Sequence, residues 1–184
     1  MGKLSNIKIL TTSAMLLAMA VIFGFLKVPI TPTLEIRFTM IPIAVAGTLF
    51  GPVVGGIVGA LSDIVAYLVK PTGPFFPGFT ITAAIGGVIF GLMLHKKKIT
   101  VVRMLIANAL YSLIVGMILN TLMLAILYGY LGDMTKFMAM FIGRVPKELL
   151  MIPINTALIL IIHRALKQVH VLDEFLSAKP QTPA

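Results

Sequence analysis

Cysteine is absent from the 184-residue sequence, and charged residues make up only 11% of it. Without a thiol, the chain has neither thiol catalysis nor a thiolate metal site. Soluble domains carry about 25% charged residues, whereas 59% of this chain is hydrophobic. A water-soluble fold of this size has no means of hiding so much apolar surface, so the expected solvent is lipid.

Several sequence motifs that mark enzymes are also missing. The chain contains no P-loop, no HExxH and no GxSxG, and its histidines, His95, His163 and His170, fall near the ends of apolar runs. Each of those motifs supplies the residues of one catalytic mechanism. We therefore predict that the protein is not an enzyme and that it has no catalytic residue, no metal and no cofactor.

Long apolar runs without the alternation of barrel strands predict an all-α integral membrane protein, a bundle of six transmembrane helices. We divide the second span from the third at Gly51-Pro52, because this pair is a strong helix breaker. The whole sequence, residues 1–184, is predicted to form a single membrane domain. Its last residues, 168–184, are predicted to form a polar cytoplasmic tail after the last span. The predicted spans are 9–26, 38–50, 53–69, 78–95, 101–128 and 141–163.

The net charge of +9 reflects fifteen Lys and Arg against six Asp and Glu. These basic residues do not form a soluble basic domain with interleaved aromatics, so no nucleic-acid partner is expected. Nine of the fifteen flank one side of the predicted spans, four flank the other, and Arg144 and Lys147 lie inside the last span. Because cytoplasmic loops carry the positive excess, both termini are predicted to be cytoplasmic in a bacterial plasma membrane.

Small residues recur every four positions in the third span, at Gly51, Gly55 and Gly59, and Asp63 continues the same stripe. Glycines on one face let a neighbouring helix approach closely, so we assign this stripe to helix packing. A carboxylate in the membrane is costly and should face the protein interior, which leaves ligand contact by Asp63 as an alternative.

Ala14 and Ala18 form a similar pair in the first span. They flatten one face of the helix. The pair predicts either internal packing or docking onto another membrane subunit.

A stiff loop of prolines and glycines before the fourth span carries Phe75, Phe76 and Phe79. Such rings can form an interfacial belt, although belts favour Trp and Tyr. A rigid frame of aromatic side chains also suits a lid over a planar ligand, because aromatic rings stack on each other. We predict the lid.

The fifth span places Asn108, Ser112, Gly116 and Asn120 at four-residue spacing, with Tyr111 beside them. Amides in lipid need partners, so this face is expected to point inward. Hydrogen bonding between helices is one explanation. A binding site is the other, because an amide matches the donor and acceptor edge of a heterocycle.

Charged residues interrupt the sixth span at Arg144, Lys147 and Glu148, and Asn155 follows them. Arg144 and Glu148 are four apart and are expected to pair, which leaves Lys147 without a local counter-ion. Arg37 is a second such cation. An anionic ligand from outside would pair with them, whereas snorkelling of the cations to the interface is the alternative.

The stretch 51–63 is similar to the third helix of the substrate-binding S components of energy-coupling factor (ECF) vitamin transporters. Ala14 and Ala18 fit the A-x-x-x-A motif in the first helix of that superfamily. More narrowly, segments 73–80 and 144–155, together with Arg37, resemble its folate-specific branch. The resemblance covers nearly the whole chain.

This resemblance implies a transport function that is shared with partner proteins. An S component binds its vitamin with high affinity and docks onto a transmembrane coupling protein, the T component, that two cytoplasmic ATPase subunits drive. For this chain it implies folate as the transported ligand, and Ala14 and Ala18 as contacts to the coupling subunit. The expected folate-binding residues are Arg37, Phe75, Phe76, Phe79, Asn108, Tyr111, Arg144, Lys147 and Asn155.

Besides a purely structural membrane subunit, which would leave the stiff phenylalanine loop and the cations without a local partner unexplained, two other functions compete with this interpretation. One is an S component for another vitamin, such as pantothenate, riboflavin or a pyridine. The other is a small integral membrane enzyme that modifies lipids, which would need a metal or nucleophile constellation near the interface. Asp63 alone does not supply one.

Overall fold

A computed structural model describes residues 7–31, 34–71 and 74–168, and for 27–31, 34–37, 131 and 165–168 it describes the backbone alone. Within this part of the chain, six helices form the bundle. Their bounds are α1 Ile7–Phe25, α2 Met40–Phe50, α3 Pro52–Val69, α4 Pro77–Leu94, α5 Val101–Leu127 and α6 Met134–Gln168.

Helix α5 changes its hydrogen-bonding pattern in the middle. It is α-helical over Val101–Tyr111, π-helical over Ser112–Leu119 and α-helical again over Asn120–Leu127. A short 3₁₀ turn, Tyr130–Gly132, then leads into α6. Wider π turns inside α-helices are rare and often lie at functional sites.

A two-stranded hairpin precedes α2. Strand β1, Lys27–Thr31, pairs antiparallel with β2, Leu34–Arg37, and the register shifts between Pro29 and Thr31. The sequence predicted a plain loop here, so the hairpin is a correction to that loop, whereas the described bundle itself is all-helical as predicted. Strands this short leave almost no periodicity that the sequence could show between the apolar helices α1 and α2.

Helix α6 begins at Met134 and continues to Gln168, although Pro146 and Pro153 lie within it. The predicted sixth span, 141–163, therefore lies inside a longer helix, and most of the loop expected before it is helical. Asp133 starts this helix as its cap, because its Oδ1 accepts a hydrogen bond of 3.2 Å from the Lys136 backbone N–H. A capping carboxylate satisfies an amide that would otherwise lack a partner.

Five of these helices are long and apolar enough to cross a membrane, and α2, with 11 residues, is shorter. Eleven residues reach only about 16 Å, against a hydrocarbon thickness of about 30 Å. Every residue of α2 is buried. The helix thus forms the centre of the bundle, where it packs against Phe90 of α4, Met104 of α5 and Ile159 of α6.

Helices α2, α3 and α4 meet backbone to backbone through glycines. A Cβ built on Gly55 would lie 2.7 Å from the Cα of Gly47 and 2.7 Å from the carbonyl oxygen of Gly87, and a Cβ on Gly59 would collide with the carbonyl of Ala83. No real side chain fits at such distances. The structure therefore places Gly55 and Gly59 of the predicted stripe where the backbones of neighbouring helices touch.

The two ends of that stripe have other roles. Gly51 joins α2 to α3 with a φ of +96°, a conformation that L side chains rarely adopt, and it faces the ring of His95. Asp63 accepts a hydrogen bond of 2.7 Å from the hydroxyl of Thr80. Assigning all four residues to one packing face was thus too simple, because a turn and a polar bond occupy its ends.

Candidate ligand-binding cavity

One end of the bundle encloses a cavity of about 550 Å³. It is lined by the C-terminal ends of α1 and α3, the first turns of α2, α4 as far as Phe90, α5 from Tyr111 onward and the middle of α6. Under the predicted orientation this is the extracellular end. Small-molecule sites usually measure about 300–1,000 Å³, so the cavity has the size of a ligand site.

Three phenylalanines around the start of α4 line the cavity near its mouth. The rings of Phe76 and Phe79 lie 5.7 Å apart, edge to face, and Phe75 lies 5.1 Å from Tyr67 of α3. Pro77 opens α4, where its missing N–H costs nothing. The structure therefore brings all three predicted lid residues to the cavity wall.

A second aromatic pair lies farther inside the bundle. Phe90, fully buried, lies about 20 Å along α4 from its start at 1.5 Å per residue. Its ring centroid is 5.2 Å from that of Tyr111, and both rings line the cavity. Gly86 leaves room for Tyr111, because a Cβ there would lie 2.7 Å from the tyrosine ring. Nothing in the sequence separated Phe90 from the other apolar residues of its helix.

A cluster of charges, two of them buried and one half-buried, projects from α6 into the cavity. Arg144, Lys147 and Glu148 all line it. The Lys147 ammonium pairs with Glu148 Oε1 at 2.7 Å, and the Ser112 hydroxyl donates a hydrogen bond to Glu148 Oε2. Arg144 Nη1 donates to the carbonyl oxygen of Gly116 at 3.5 Å.

The expectation that Lys147 lacks a local counter-ion is wrong. Its partner is the next residue, Glu148. Helical spacing favours pairs that are three or four residues apart, and for this reason the sequence assigned Glu148 to Arg144 and left Lys147 without a partner. The long lysine side chain folds back to the adjacent carboxylate.

The two predicted asparagines differ in position. Asn155 lines the cavity, is 8% exposed, and its Oδ1 has no hydrogen-bond partner in the described part of the chain. Asn108 does not line the cavity. Its Nδ2 donates to the Thr156 hydroxyl at 2.9 Å and to the Met104 carbonyl at 3.2 Å. The amide nitrogen of Asn108 thus joins α5 to α6, while its Oδ1, like that of Asn155, has no hydrogen-bond partner in the described residues. Ligand contact by Asn108 stays a prediction.

Three other predicted residues, Arg37, Ala14 and Ala18, are not among the described residues that line the cavity. The backbone of Arg37 belongs to β2, and its side chain lies outside what the structure describes. Ala14 and Ala18 are exposed on α1. Exposure of a small-residue face leaves it available to a partner or to lipid.

Four charged or amide residues line the cavity but lie outside the predicted binding set, namely Asp63, Lys70, Asn120 and Glu148. The sequence offers Asp63 and Asn120 only as alternative ligand contacts and Glu148 only as a pair for Arg144, and it does not single out Lys70. Asp63 and Lys70 lie toward the mouth, on the second half of α3 and just after it. Asn120 and Glu148 are on α5 and α6. The sequence signal that could have identified these residues is the free-energy cost of placing a polar or ionisable side chain in an apolar span, because such residues usually mark a functional site.

The comparisons with known proteins agree with this architecture. A family model described as "ECF transporter, substrate-specific component" matches residues 8–163. The chain belongs to this family. Its members are transporter components of the plasma membrane rather than enzymes, so the chain is a multi-pass membrane protein, and the alternative of a lipid-modifying enzyme is wrong.

Individual relatives are similar to this S component over most of its length. The folate transporter FolT of Clostridium novyi (strain NT) is 34% identical, over 92% of this chain and 94% of its own length. FolT of Leuconostoc mesenteroides is 31% identical, over 79% of this chain and 78% of its own. A crystal structure of FolT bound with folic acid matches with a TM-score of 0.77 and 32% identity, over 85% of this chain and 93% of that one.

Proposed function

We propose that this S component captures folate outside the cell and delivers it through an ECF importer. The observation that carries the proposal is the cavity of about 550 Å³, which combines aromatic walls with buried polar groups. Folate has a flat pterin, an aromatic linker and a glutamate tail, so it needs both kinds of surface. The similarity to FolT proteins, one of them solved with folic acid, supports this ligand.

The chemistry of the wall suggests how folate lies in the cavity. Burying an unpaired carboxylate is costly, so the glutamate tail should stay toward the mouth, near the exposed Lys70. Arg144 and Arg37 are the other candidate cations for it. The uncharged pterin then enters the inner part, where Phe90 and Tyr111 offer ring faces.

Asn155 is the proposed partner for the pterin edge. It is buried, it lines the cavity, and its amide oxygen has no hydrogen-bond partner in the described residues. A buried polar group without a partner is unfavourable. A donor on the ligand would satisfy it.

We further propose six membrane-spanning segments with both termini in the cytoplasm. The excess of Lys and Arg on that side supports this orientation. Five helices have spanning length by themselves. The short α2, enclosed by the others, completes the sixth segment together with the residues before it.

The proposed partners are a transmembrane coupling protein and two cytoplasmic ATPase subunits. The family is named as the substrate-specific component of a larger transporter, which supports a division of labour. Ala14 and Ala18, exposed on α1, are the proposed contacts to the coupling protein. Small exposed residues allow close approach of a partner helix.

Ligand binding by the detergent-purified protein tests this function. Folic acid should raise the thermal unfolding temperature and give a saturable heat of binding, because a ligand stabilises the state that it binds. Riboflavin, pantothenate and pyridoxine should do neither. A shift with one of these vitamins and none with folic acid would assign the cavity to that vitamin instead. Mass spectrometry of co-purified small molecules gives an independent check.

A further inference from the structure

Glu148 places a buried carboxylate in the cavity wall, and the proposed role of the cations does not explain it. The side chain is 6% exposed and lines the cavity. If the cavity only had to attract an anionic vitamin, a carboxylate there would weaken binding. A charged residue inside a membrane bundle is costly and usually marks a functional site.

Neighbouring groups hold this carboxylate in one position. Lys147 Nζ lies 2.7 Å from Oε1, and the Ser112 hydroxyl donates to Oε2. A carboxylate has about four acceptor positions, so each oxygen retains the capacity for one more hydrogen bond. The pair of oxygens can therefore accept two donors from a ligand while both protein partners stay bound.

Gly116 provides the space that the carboxylate occupies. A Cβ at this position would lie 2.6 Å from both Cδ and Oε2 of Glu148. Gly116 and Ser112 both belong to the π-helical part of α5. This widened segment thus frames the carboxylate from the opposite helix.

A simple ion pair with Lys147 is the competing explanation. A buried pair of opposite charges is often no more stable than two apolar residues of similar volume. Stability alone therefore gives little reason for Lys147 and Glu148 to be charged. Binding a ligand that presents hydrogen-bond donors to this carboxylate would explain why Glu148 is charged.

We infer that Glu148 determines ligand specificity by accepting hydrogen bonds from two adjacent donors on a fused pyrimidinone ring. The inference rests on the proposed folate function. A pterin carries such donors, the ring N3–H and the exocyclic 2-amino group. The matching edge of a flavin presents carbonyl, N–H and carbonyl, so its oxygens would face the carboxylate and be repelled. Ser112 and Gly116 act as positioning residues for Glu148.

Calorimetric titration of the unaltered protein and of Glu148→Gln with two ligands tests this assignment. The ligands are folic acid and pteroic acid, which has the same pterin and linker without the glutamate. Glutamine places an amide donor where the pterin also has donors. We expect both ligands to lose about 10-fold to 100-fold in affinity, by equal factors. Asp133→Asn, the same chemical change at an exposed residue that caps α6, should leave both affinities unchanged.

Two other outcomes would overturn the inference. Loss of folic acid affinity with pteroic acid unaffected would mean that Glu148 acts on the glutamate tail through its basic neighbours. Unchanged affinity for both ligands would mean that Glu148 only pairs with Lys147. If the unaltered protein fails to bind folic acid at all, the proposed function itself is wrong. The titration of the unaltered protein therefore distinguishes failure of the function from failure of the Glu148 assignment.

The positioning role of Ser112 has its own readout. Ser112→Ala should weaken folic acid binding in the unaltered background and have no further effect in the Glu148→Gln background, because the hydroxyl acts through that carboxylate. Equal losses in both backgrounds would exclude this role.

A change on the ligand keeps the test valid even if these variants fail to fold. A folate analogue with a methyl group in place of the 2-amino group should bind the unaltered protein at least about 10-fold more weakly than folic acid. Equal affinity would overturn the inference.

Discussion

The hydroxyl of Thr80 donates a hydrogen bond of 2.7 Å to Oδ2 of Asp63 and so joins the first turn of α4 to α3. Asp63 also lines the cavity. The bond therefore ties α3 to α4 beside the wall of the cavity.

Replacing Asp63 by Ala should lower the thermal unfolding temperature of the ligand-free protein. Hydrogen bonds to charged groups contribute about 1.5–3 kcal/mol, and only part of this applies at a half-buried site. Asp63→Asn retains an acceptor for Thr80 and should lose less. Equal stability of Asp63→Ala and the unaltered protein in a detergent melting experiment would contradict this role.

Substituting Gly55 by Ala should destabilise the bundle. The new methyl group would meet the backbone of both α2 and α4, and overpacking of this kind costs about 1–3 kcal/mol. The matched control is Gly143→Ala in α6, where nothing lies within 4 Å of the added Cβ.

That control should be neutral or slightly stabilising, because Ala is the better helix former. Melting curves of both variants, recorded in the same detergent, compare the two sites. A Gly55→Ala protein as stable as Gly143→Ala would show that α2, α3 and α4 do not meet at this glycine.

The two asparagines of the polar stripe should separate binding from stability. Asn155→Leu removes an amide from the cavity wall, so it should weaken folic acid binding by about 10-fold at little cost in stability. Asn108→Leu removes the bond to Thr156, so it should lower the unfolding temperature and change affinity less. Calorimetry and melting of each variant measure both quantities. The reverse pattern would assign the ligand contact to Asn108.

Enlarging Ala14 and Ala18 together to Leu should abolish vitamin uptake while leaving vitamin binding intact. Both residues are exposed on α1 and do not line the cavity. A bulky side chain would hold a partner helix away from this face. Uptake of labelled folic acid by cells that contain the complete transporter, and calorimetry on the isolated component, give the two readouts.

Met15→Leu is the control for this pair, because Met15 is also exposed on α1 and the substitution conserves its volume. It should affect neither uptake nor binding. Normal uptake by the Ala14→Leu, Ala18→Leu protein would remove these residues from the contact with the coupling protein.

Most of the helical framework could be predicted from the sequence because lipid imposes strong constraints on it. An apolar run in a bilayer must satisfy its own backbone, and this predicts helices. Glycine spacing indicated where α3 meets a neighbour. The hairpin 27–37 and the early start of α6 at Met134 were missed, because short strands and extended helix ends carry little periodicity.

Some of the residues that line the candidate site could be predicted from the sequence, but their hydrogen-bond and ion-pair partners could not. Inward-facing polar residues could be recognised by their cost in lipid, and Tyr111, Arg144 and Asn155 do line the cavity. Which partner each one takes depends on helix rotation and depth. The bond from Asn108 to Thr156 and the pairing of Lys147 with Glu148 are set by contacts that one-dimensional spacing does not contain.

By itself, the sequence determined that this protein is a helical membrane protein, because its apolar content leaves lipid as the only solvent. Its motifs indicated the S-component family. Only the tertiary structure decided that a cavity forms, which groups line it, and that Glu148 is held there between Lys147 and Ser112. The physical reason is that burial cost acts on each residue alone, whereas a binding site depends on distances between helices far apart in the chain.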